Sequence, residues 1–274
     1  MPTFVHEGAT IAYTDTGAPA GAPDAPVIVF GHGLLFGGWM FRAQIEALRD
    51  RYRCVAIDWR GQGDSPRARA GYDMDTLTAD AVALIRALGV APAHWVGLSM
   101  GGFVGQRVAA RHGELLRSLT LLDTSARAEN GAKTGQNKLL AWAQQVTGIR
   151  AVLGQVKPQM FGPAFLADPA STAILDEWAR RLTRLDRSAI RHAVYGVTDR
   201  LPVEQEIAAI TVPALVVVGA QDAATPPAEA ERIASLIPGA ELHIVPDCGH
   251  MSAIEQPAAI TGLLEKFLAG QESL

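Results

Sequence analysis

Short runs of apolar residues alternate with longer amphipathic segments along most of the chain. The apolar runs predict strands, and the segments with apolar positions at helical spacing predict helices between them. The predicted strands are Val27–Phe30, Cys54–Ile57, His94–Gly97, Leu119–Asp123, Ala214–Gly219 and Glu241–Val245, and the helices are Met40–Leu48, Leu77–Leu88, Met100–His112, Ala228–Leu236 and Ala258–Leu268. Such alternation is typical of right-handed crossovers and of a mostly parallel sheet covered by helices on both faces.

Two stretches in which polar and apolar residues alternate come before this pattern. Thr3–His6 and Thr10–Thr16 predict an antiparallel hairpin at the start of the chain. With the six apolar runs, they bring the predicted number of strands to eight. We therefore predict an α/β fold whose sheet is eight-stranded and mostly parallel.

The alternation stops between residues 125 and 199, where only helical patterns occur. These are Lys138–Val146, Ile149–Met160, Ser171–Leu185 and Ser188–Val197. Because strand patterns resume afterwards, a helical insertion is favoured over a separate domain in tandem. We predict a core of residues 1–124 and 200–274 with a helical cap, residues 125–199, inserted into it.

Composition and charge exclude several classes of partner. Of 274 residues, 49% are hydrophobic, and the formal net charge is −4 with Lys and Arg scattered. We therefore expect no binding to nucleic acid or to an anionic membrane surface. The longest apolar stretch, residues 27–41, is interrupted by glycines, which argues against a membrane span.

The cysteines, histidines and first residues bear on location and cofactors. Cys54 and Cys248 lie far apart in unrelated contexts, so no disulfide framework is expected. The first residues have neither the basic start nor the apolar core of a signal peptide. Both observations favour a cytoplasmic location. The seven histidines are dispersed and no metal-ligand spacing occurs, so we expect no metal and no cofactor.

Ser99 lies in a Gly97-Leu-Ser99-Met-Gly101 segment between a predicted strand and a predicted helix. At such a junction the G-x-S-x-G motif forms a sharp, strained turn that exposes the serine Oγ at the carboxyl end of the sheet. The glycines are needed because side chains at their positions would collide in the turn. An incidental serine in a glycine-rich turn is the alternative, but the position at a central strand favours a nucleophile.

A serine nucleophile needs a base, which is in turn oriented by a carboxylate. His250 follows the last predicted strand and is the candidate base, whereas His243 lies within that strand. Asp222 follows the preceding strand, and the order Ser, Asp, His is the one expected for this fold. Asp123, which ends an earlier strand, is the second candidate for the acid.

Two backbone N–H groups are needed to stabilise the oxyanion. Met100, directly after the nucleophile, is expected to supply one, and Leu34, in the glycine-rich loop after the first parallel strand, the other. His32 in the same loop is interpreted as a residue that braces it. Apolar side chains predicted at the mouth of the pocket are those of Leu35, Met251, Trp142, Met160 and Phe161, although core packing explains the last three equally well.

A phosphate-binding loop is superficially similar to the segment Asp58-Trp-Arg60-Gly61-Gln-Gly63-Asp-Ser65. This segment lacks the lysine of a P-loop and the glycine register of a dinucleotide site. We interpret it as a tight turn after a strand.

Together these segments resemble the α/β-hydrolase superfamily over nearly the whole chain. The matching blocks are His32-Gly33, Asp58-x-Arg60-Gly61-x-Gly63-x-Ser65, Gly97-Leu-Ser99-Met-Gly101-Gly102, the Asp222 loop and Gly249-His250. Residues 97–106 and 250–257 are most similar to 3-oxoadipate enol-lactonases and related carboxylesterases. The segment His32-Gly33-Leu34-Leu35 departs from the Ser/Asn-type segment that enol-lactonases often carry, so the lactone itself is left open.

The resemblance implies a hydrolase that cleaves a small-molecule carboxylic ester or lactone through a Ser-His-Asp triad and an acyl-enzyme. A serine at the elbow argues against haloalkane dehalogenases and epoxide hydrolases, which use aspartate there. Cofactor-free perhydrolases or haloperoxidases share the triad, but they usually place a proline soon after the His-Gly pair, and none follows His32-Gly33 here. A ligand-binding protein without catalysis is the remaining alternative, because a fold alone does not determine function.

Overall fold

Eight strands form one sheet in the computed structural model, which describes residues 1–271. The strands are β1 (Thr3–His6), β2 (Ala9–Asp15), β3 (Val27–Gly31), β4 (Arg53–Ile57), β5 (Ala93–Leu98), β6 (Leu116–Leu122), β7 (Ala214–Gly219) and β8 (Glu241–Val245). Their order across the sheet is β1-β2-β4-β3-β5-β6-β7-β8. The strands from β3 to β8 are parallel, and β1 and β2 pair antiparallel. The predicted mostly parallel, eight-stranded sheet is confirmed.

The central strands are mostly apolar because both faces of the sheet are covered. Every residue of β5 and of β7 is buried, as expected for parallel strands between two layers of helices. The edge strand β8 differs, because Ile244 is 46% exposed. Helices cover less of an edge strand than of a central strand, so more of its side chains are exposed.

Helices outside the segment 125–199 cover the two faces of this sheet. They are α1 (Arg42–Leu48), α2 (Met74–Leu88), α3 (Met100–Arg111), α9 (Glu204–Ile207), α10 (Pro227–Leu236), α11 (Ser252–Glu255) and α12 (Pro257–Gln271). Successive residues of a strand point to opposite faces of the sheet and so belong to two different apolar clusters. Trp95 belongs with α2, α3 and α10 on one face, whereas Val96 belongs with α1 and α12 on the other.

Residues 125–199, which we call the helical segment, contain no strand in the structure. The helices are α4 (Gly131–Thr147), α5 (Leu153–Met160), α6 (Pro163–Ala167), α7 (Thr172–Leu182) and α8 (Arg187–Thr198). Buried residues of α4, α7 and α8 extend the apolar cluster that contains Val96. The segment therefore packs on the rest of the protein through a continuous apolar core.

The boundaries differ from the predictions where capping or a turn decides them. Helix α2 begins at Met74, before the predicted Leu77, because the Asp73 side chain caps it by accepting a hydrogen bond from Thr76 N. Strand β6 ends at Leu122, because Asp123 has a φ of +47° and leaves the strand. The short helices α6, α9 and α11 were not predicted, since they are too short to show a hydrophobic period. No helix in residues 1–271 is long and apolar enough to cross a bilayer.

Candidate active site

Ser99 occupies the turn between β5 and α3. Its backbone has a φ of +50° and a ψ of −109°, a conformation that residues with a side chain rarely adopt. A hydrogen bond from Ser99 N to Leu122 O, 2.9 Å long, ties the turn to the neighbouring strand. Only 7% of the surface of Ser99 is exposed. The residue lies at the N-terminus of α3, where the positive end of the helix dipole favours negative charge.

The glycines on either side of Ser99 are required by close backbone contacts. A Cβ at Gly97 would lie 2.2 Å from the carbonyl oxygen of Gly101. A Cβ at Gly101 would lie 1.8 Å from the carbonyl oxygen of Gly31. Neither distance is sterically possible, so the glycine pair is a condition for forming this turn, as the sequence analysis proposed.

His250 lies between Ser99 and Asp222 in a chain of hydrogen bonds. Its Nε2 is 3.0 Å from Ser99 Oγ, and its Nδ1 is 2.8 Å from Asp222 Oδ2. Because the carboxylate can only accept, the proton of the neutral imidazole is on Nδ1 and Nε2 is free to accept the serine proton. The structure thus brings the three predicted residues together at the carboxyl ends of β5, β7 and β8.

Asp222 is held by its own loop. Its Oδ1 accepts hydrogen bonds from Ala224 N at 2.8 Å and Thr225 N at 2.9 Å, and Oδ2 accepts one from Thr225 Oγ1 at 2.8 Å. The side chain is fully buried. These bonds leave the carboxylate one orientation, in which Oδ2 faces the imidazole.

Several carboxylates act on His250. Burial alone would lower the pKa of the imidazole, but the charge and hydrogen bond of Asp222, with smaller contributions from Asp123 and Glu255, outweigh it. The net effect raises the pKa of His250 above its usual value. A base with a raised pKa accepts the serine proton more readily.

Asp123, the second candidate acid, makes no hydrogen bond to His250 among the described residues. Its Oδ1 accepts one from Gly219 N at 2.9 Å, and its Oδ2 accepts one from Ser252 N at 3.3 Å. Complete burial, reinforced by the charge of Asp222, raises the pKa of Asp123 well above its usual value. Asp123 thus joins β6, β7 and the start of α11 through backbone amides.

The two predicted oxyanion amides belong to segments that lie against each other. Gly101 N donates a hydrogen bond of 3.1 Å to His32 O, which joins the start of α3 to the loop after β3. A Cβ at Gly33 would be 3.6 Å from Ser99 Cβ, so this loop passes close to the nucleophile. Within residues 1–271, neither Leu34 N nor Met100 N donates a hydrogen bond to a protein acceptor.

His32 braces the loop after β3, as predicted. Trp59 N donates to its Nε2 at 3.0 Å, so the ring proton is on Nδ1 and is donated to Gly33 O at 2.7 Å. Burial lowers the pKa of His32 to about 3. The residue therefore stays neutral and is not a competing base.

Glu255 is a buried carboxylate that the sequence analysis did not single out. Its Oε2 accepts hydrogen bonds from Gly249 N at 2.7 Å and Gly162 N at 3.0 Å, and its Oε1 accepts one from Met251 N at 3.0 Å. The first and third of these amides flank His250, and the second belongs to the helical segment. Glu255 thus fixes the backbone on both sides of the histidine and joins it to that segment.

A pocket with about 860 Å³ of empty space, open solvent included, adjoins Ser99 and His250. The helical segment supplies most of its apolar lining, namely Leu140, Ile149, Val152, Val156, Met160 and Ile190. Glu129 and Arg200 also line it and form an ion pair of 3.1 Å. The pocket is therefore mainly apolar with some polar groups, as small-molecule sites usually are.

The structure assigns only some of the predicted pocket residues to this lining. Leu35 and Met160 line the pocket. The expectation for Phe161 is corrected, because its ring packs against Phe36, Phe165 and Trp178 within the core. Met251 is fully buried beside Gly33 and is not among the lining residues.

The expectation for Trp142 is also corrected. Its side chain is 56% exposed and lies outside the pocket lining. On α4 the lining residues Leu140, Ala141 and Gln144 occupy one face, and the helical period of 3.6 puts Trp142 on the opposite one. Leu139 and Val146 share this outer, exposed face.

Comparisons with known proteins agree with this fold and site. A family model described as the alpha/beta hydrolase fold matches residues 26–257, a range that includes Ser99, Asp222 and His250. The chain belongs to the alpha/beta-hydrolase family. The resemblance inferred from the sequence motifs is confirmed.

The relatives and structural neighbours include enzymes of more than one activity. The chain is 31% identical over 272 residues to a Mycobacterium tuberculosis protein named as a non-heme bromoperoxidase, BpoC, covering 94% of this chain and 97% of the relative. It is 27% identical over 271 residues to 3-oxoadipate enol-lactonase 2 of Acinetobacter baylyi, covering 98% of each.

Solved structures give the same result. The enol-lactonase from Burkholderia xenovorans LB400 superposes with a TM-score of 0.89 at 28% identity, covering 98% of this chain and 100% of that one. A thermophilic esterase from Thermogutta terrifontis superposes with a TM-score of 0.87 at 26% identity, covering 98% and 97%. The chain is thus a member of a hydrolase family with esterases and lactonases among its relatives.

Proposed function

We propose that this protein hydrolyses carboxylic esters or lactones through Ser99, His250 and Asp222, with an acyl-enzyme intermediate. The observation that carries the proposal is the pair of hydrogen bonds at His250, in which Ser99 Oγ donates to Nε2 at 3.0 Å and Nδ1 donates to Asp222 Oδ2 at 2.8 Å. A serine that donates to an oriented, neutral imidazole is an activated nucleophile. This arrangement adjoins a mainly apolar pocket, the kind of site that binds small organic molecules.

In the first half of the reaction, Ser99 Oγ bonds to the carbonyl carbon while its proton passes to His250 Nε2. The carbonyl electron pair moves to the oxygen, and the Leu34 and Met100 amides donate to that oxyanion. As the tetrahedral adduct collapses, His250 gives its proton to the departing alkoxide oxygen. With a lactone, this alkoxide stays attached to the acyl group through the opened ring.

In the second half, a water molecule replaces the alcohol. His250 accepts a proton from this water as its oxygen attacks the acyl carbon, and the same two amides stabilise the second oxyanion. The proton then returns to Ser99 Oγ, and the carboxylic acid is released. Asp222 stays ionised throughout and stabilises the imidazolium formed in each half.

We also propose that residues 125–199 act as a cap that selects the acyl or ring portion of the substrate. This proposal is supported by the lining of the pocket, in which the helical segment supplies most of the apolar side chains. Ser99, Asp222 and His250 all come from outside that segment. The chemistry and the selectivity would then reside in different parts of the chain.

A second candidate function is peroxide-dependent halogenation through a peracid. The observation that favours it is the 31% identity to the relative named as a non-heme bromoperoxidase. The same serine and histidine would transfer an acyl group to hydrogen peroxide instead of water. Bromination of monochlorodimedone by peroxide in acetate buffer, measured beside ester hydrolysis, distinguishes the two activities.

The central experiment combines labelling with a substrate panel. A fluorophosphonate probe should label the native protein at Ser99, identified by peptide mass spectrometry, and should not label Ser99→Ala. Hydrolysis of p-nitrophenyl esters of increasing acyl length, several lactones and aryl carbamates then ranks the substrate classes. A protein that remains unlabelled and hydrolyses none of these would overturn the proposed function and favour a ligand-binding role.

A further inference from the structure

Leu35 has a backbone conformation that needs support from its surroundings. Its φ is +67°, in the left-handed region that a bulky residue seldom adopts without constraint. It directly follows Leu34, whose amide is the proposed oxyanion donor, and only 6% of its surface is exposed. The Leu34 N–H belongs to the peptide group directly before the one that links Leu34 to Leu35, so its position in the loop depends on how Leu35 is held.

Both polar backbone groups of Leu35 are bonded to buried side chains. Leu35 N donates a hydrogen bond of 2.7 Å to Gln62 Oε1, and Leu35 O accepts one of 3.0 Å from Trp178 Nε1. Gln62 is 1% exposed and Trp178 is fully buried. Because both partners and Leu35 itself are buried, a backbone group left unpaired at this site would be costly.

Gln62 also contacts the second oxyanion segment. Its oxygen faces the Leu35 amide, which is a donor, so its Nε2 must be the group directed at Met100 Sδ, 3.9 Å away. One side chain thus spans the two segments whose amides are proposed to bind the oxyanion. It comes from the turn after β4, which the sequence analysis interpreted only as a tight turn.

That turn is itself held rigidly against the loop after β3. Asp58 accepts hydrogen bonds from Gly38 N at 2.6 Å and from Asp64 N at 2.8 Å. Gln62 lies between these anchored ends of the turn. Its side chain is therefore presented to Leu35 from a fixed support.

Trp178 brings the helical segment into the same contact. It lies on α7, and its ring stacks on Phe36 with 5.7 Å between ring centroids and meets Phe161 edge-on at 5.3 Å. The indole N–H is therefore held in place by aromatic packing on more than one side. A residue of the proposed cap is bonded to the loop that carries the Leu34 amide.

We propose that Gln62 and Trp178 are positioning residues that hold Leu35 in its left-handed conformation and so aim the Leu34 amide at the oxyanion. The proposal rests on the proposed hydrolase function. It means that the helical segment contributes to transition-state stabilisation as well as to the walls of the pocket. An amide that is displaced slightly still permits substrate binding, but it stabilises the transition state less.

The test compares Gln62→Met and Trp178→Phe, each of which removes one hydrogen bond to Leu35 and keeps most of the side-chain volume. We expect kcat for p-nitrophenyl butyrate to fall about tenfold to a hundredfold, approaching the loss on removing an oxyanion donor, while KM stays within about threefold. The inhibition constant of a phenylboronic acid, whose adduct with serine is tetrahedral, should rise by a similar factor.

Two matched controls separate positioning from packing. Gln106→Met removes another fully buried glutamine, which bonds Gly102 O and Ser125 O, and Trp39→Phe shortens a tryptophan that packs on Phe36. Both controls should keep kcat within about twofold of the native value, whatever their melting temperatures. If Gln62→Met does not fold, Trp178→Phe decides the question, because it retains an aromatic ring.

The outcomes distinguish this inference from the function on which it rests. If the native protein is not labelled at Ser99 and hydrolyses neither esters nor lactones, the proposed function fails. If the native protein is active and the two variants keep native kcat and boronate inhibition, or raise KM alone, the positioning role is overturned and hydrolysis stands. If kcat of Gln62→Met and Trp178→Phe falls no further than kcat of the two controls, the positioning role is also overturned.

Discussion

At the carboxyl edge of the sheet, each candidate catalytic residue follows a strand, whereas the helical segment supplies side chains that point to the pocket from several helices. Ser99 lies in a turn that tolerates only glycine at its flanks, and His250 lies in a loop fixed by Glu255. The helical segment lines the pocket mainly with apolar side chains that come from several helices. Chemistry that needs fixed atoms therefore uses backbone geometry, and apolar recognition needs only packing.

The two regions are nevertheless joined at specific points. Trp178 Nε1 donates to Leu35 O, and Gly162 N donates to Glu255, so the helical segment is bonded to the loop after β3 and to the residue that fixes the His250 loop. If the sheet edge carries out the reaction and the helical segment selects the substrate, substitutions at the sheet edge should reduce activity on every substrate. Substitutions in the pocket wall should instead change the choice of substrate.

The largest effect is expected for Ser99→Ala. Removal of the nucleophile should lower kcat by about six orders of magnitude, as in another serine hydrolase, because no acyl-enzyme can form. Stopped assays on the best ester of the panel would measure the residual rate, with circular dichroism as the control for folding. An active Ser99→Ala protein would mean that the elbow is not the catalytic site.

The next largest effect separates the two candidate acids. Asp222→Asn should lower kcat by about 10⁴, because an amide at this position favours the wrong tautomer of His250. Asp123→Asn should cost much less activity, since the Asp123 carboxylate bonds Gly219 N and Ser252 N instead of the imidazole. Both variants should be compared at equal folded fraction, and the reverse ranking would reject the assignment.

A smaller effect is expected from pH. His250 must be neutral to accept the serine proton, and its pKa is raised, so kcat/KM should fall about tenfold per unit as the pH drops below that pKa. The midpoint should lie above the ordinary histidine value of about 6.5. A Glu255→Gln variant, which lacks one nearby negative charge, should shift the midpoint downward. A profile that is flat from pH 5 to pH 8 would exclude a histidine base.

The smallest loss of activity is expected for substitutions in the pocket wall, which test substrate selectivity most directly. Met160→Ala enlarges the apolar pocket, so it should shift preference toward bulkier acyl groups by about tenfold, the size expected for small changes in apolar contact. Trp142→Ala, on the outer face of α4, should leave the preference unchanged. Rates across the ester series give both ratios, and equal shifts in the two variants would contradict the orientation of α4.

Much of this protein could be predicted from local sequence. The apolar runs predicted six strands, because burial on both faces favours apolar residues along strands such as β5 and β7. The alternation of polar and apolar residues at the start of the chain predicted the other two. The candidate nucleophile was recognisable because its turn imposes glycine at Gly97 and Gly101, only two positions away on each side. Constraints that act within a few residues leave a pattern that can be read in the sequence.

The tertiary structure alone decided which groups support the site. Leu35 and Trp178 are separated by 143 positions, and Gly162 and Glu255 by 93, so no local pattern links them. The sequence favoured Asp222 over Asp123 by its place in the chain, and the structure adds that Asp222 Oδ2 lies 2.8 Å from His250 Nδ1. Trp142 was misplaced because composition gives the apolar character of a residue, whereas the rotation of its helix decides whether it faces the pocket or the solvent. The sequence thus determined the candidate catalytic residues at the sheet edge, and the packing of distant segments decided how those residues are oriented and enclosed.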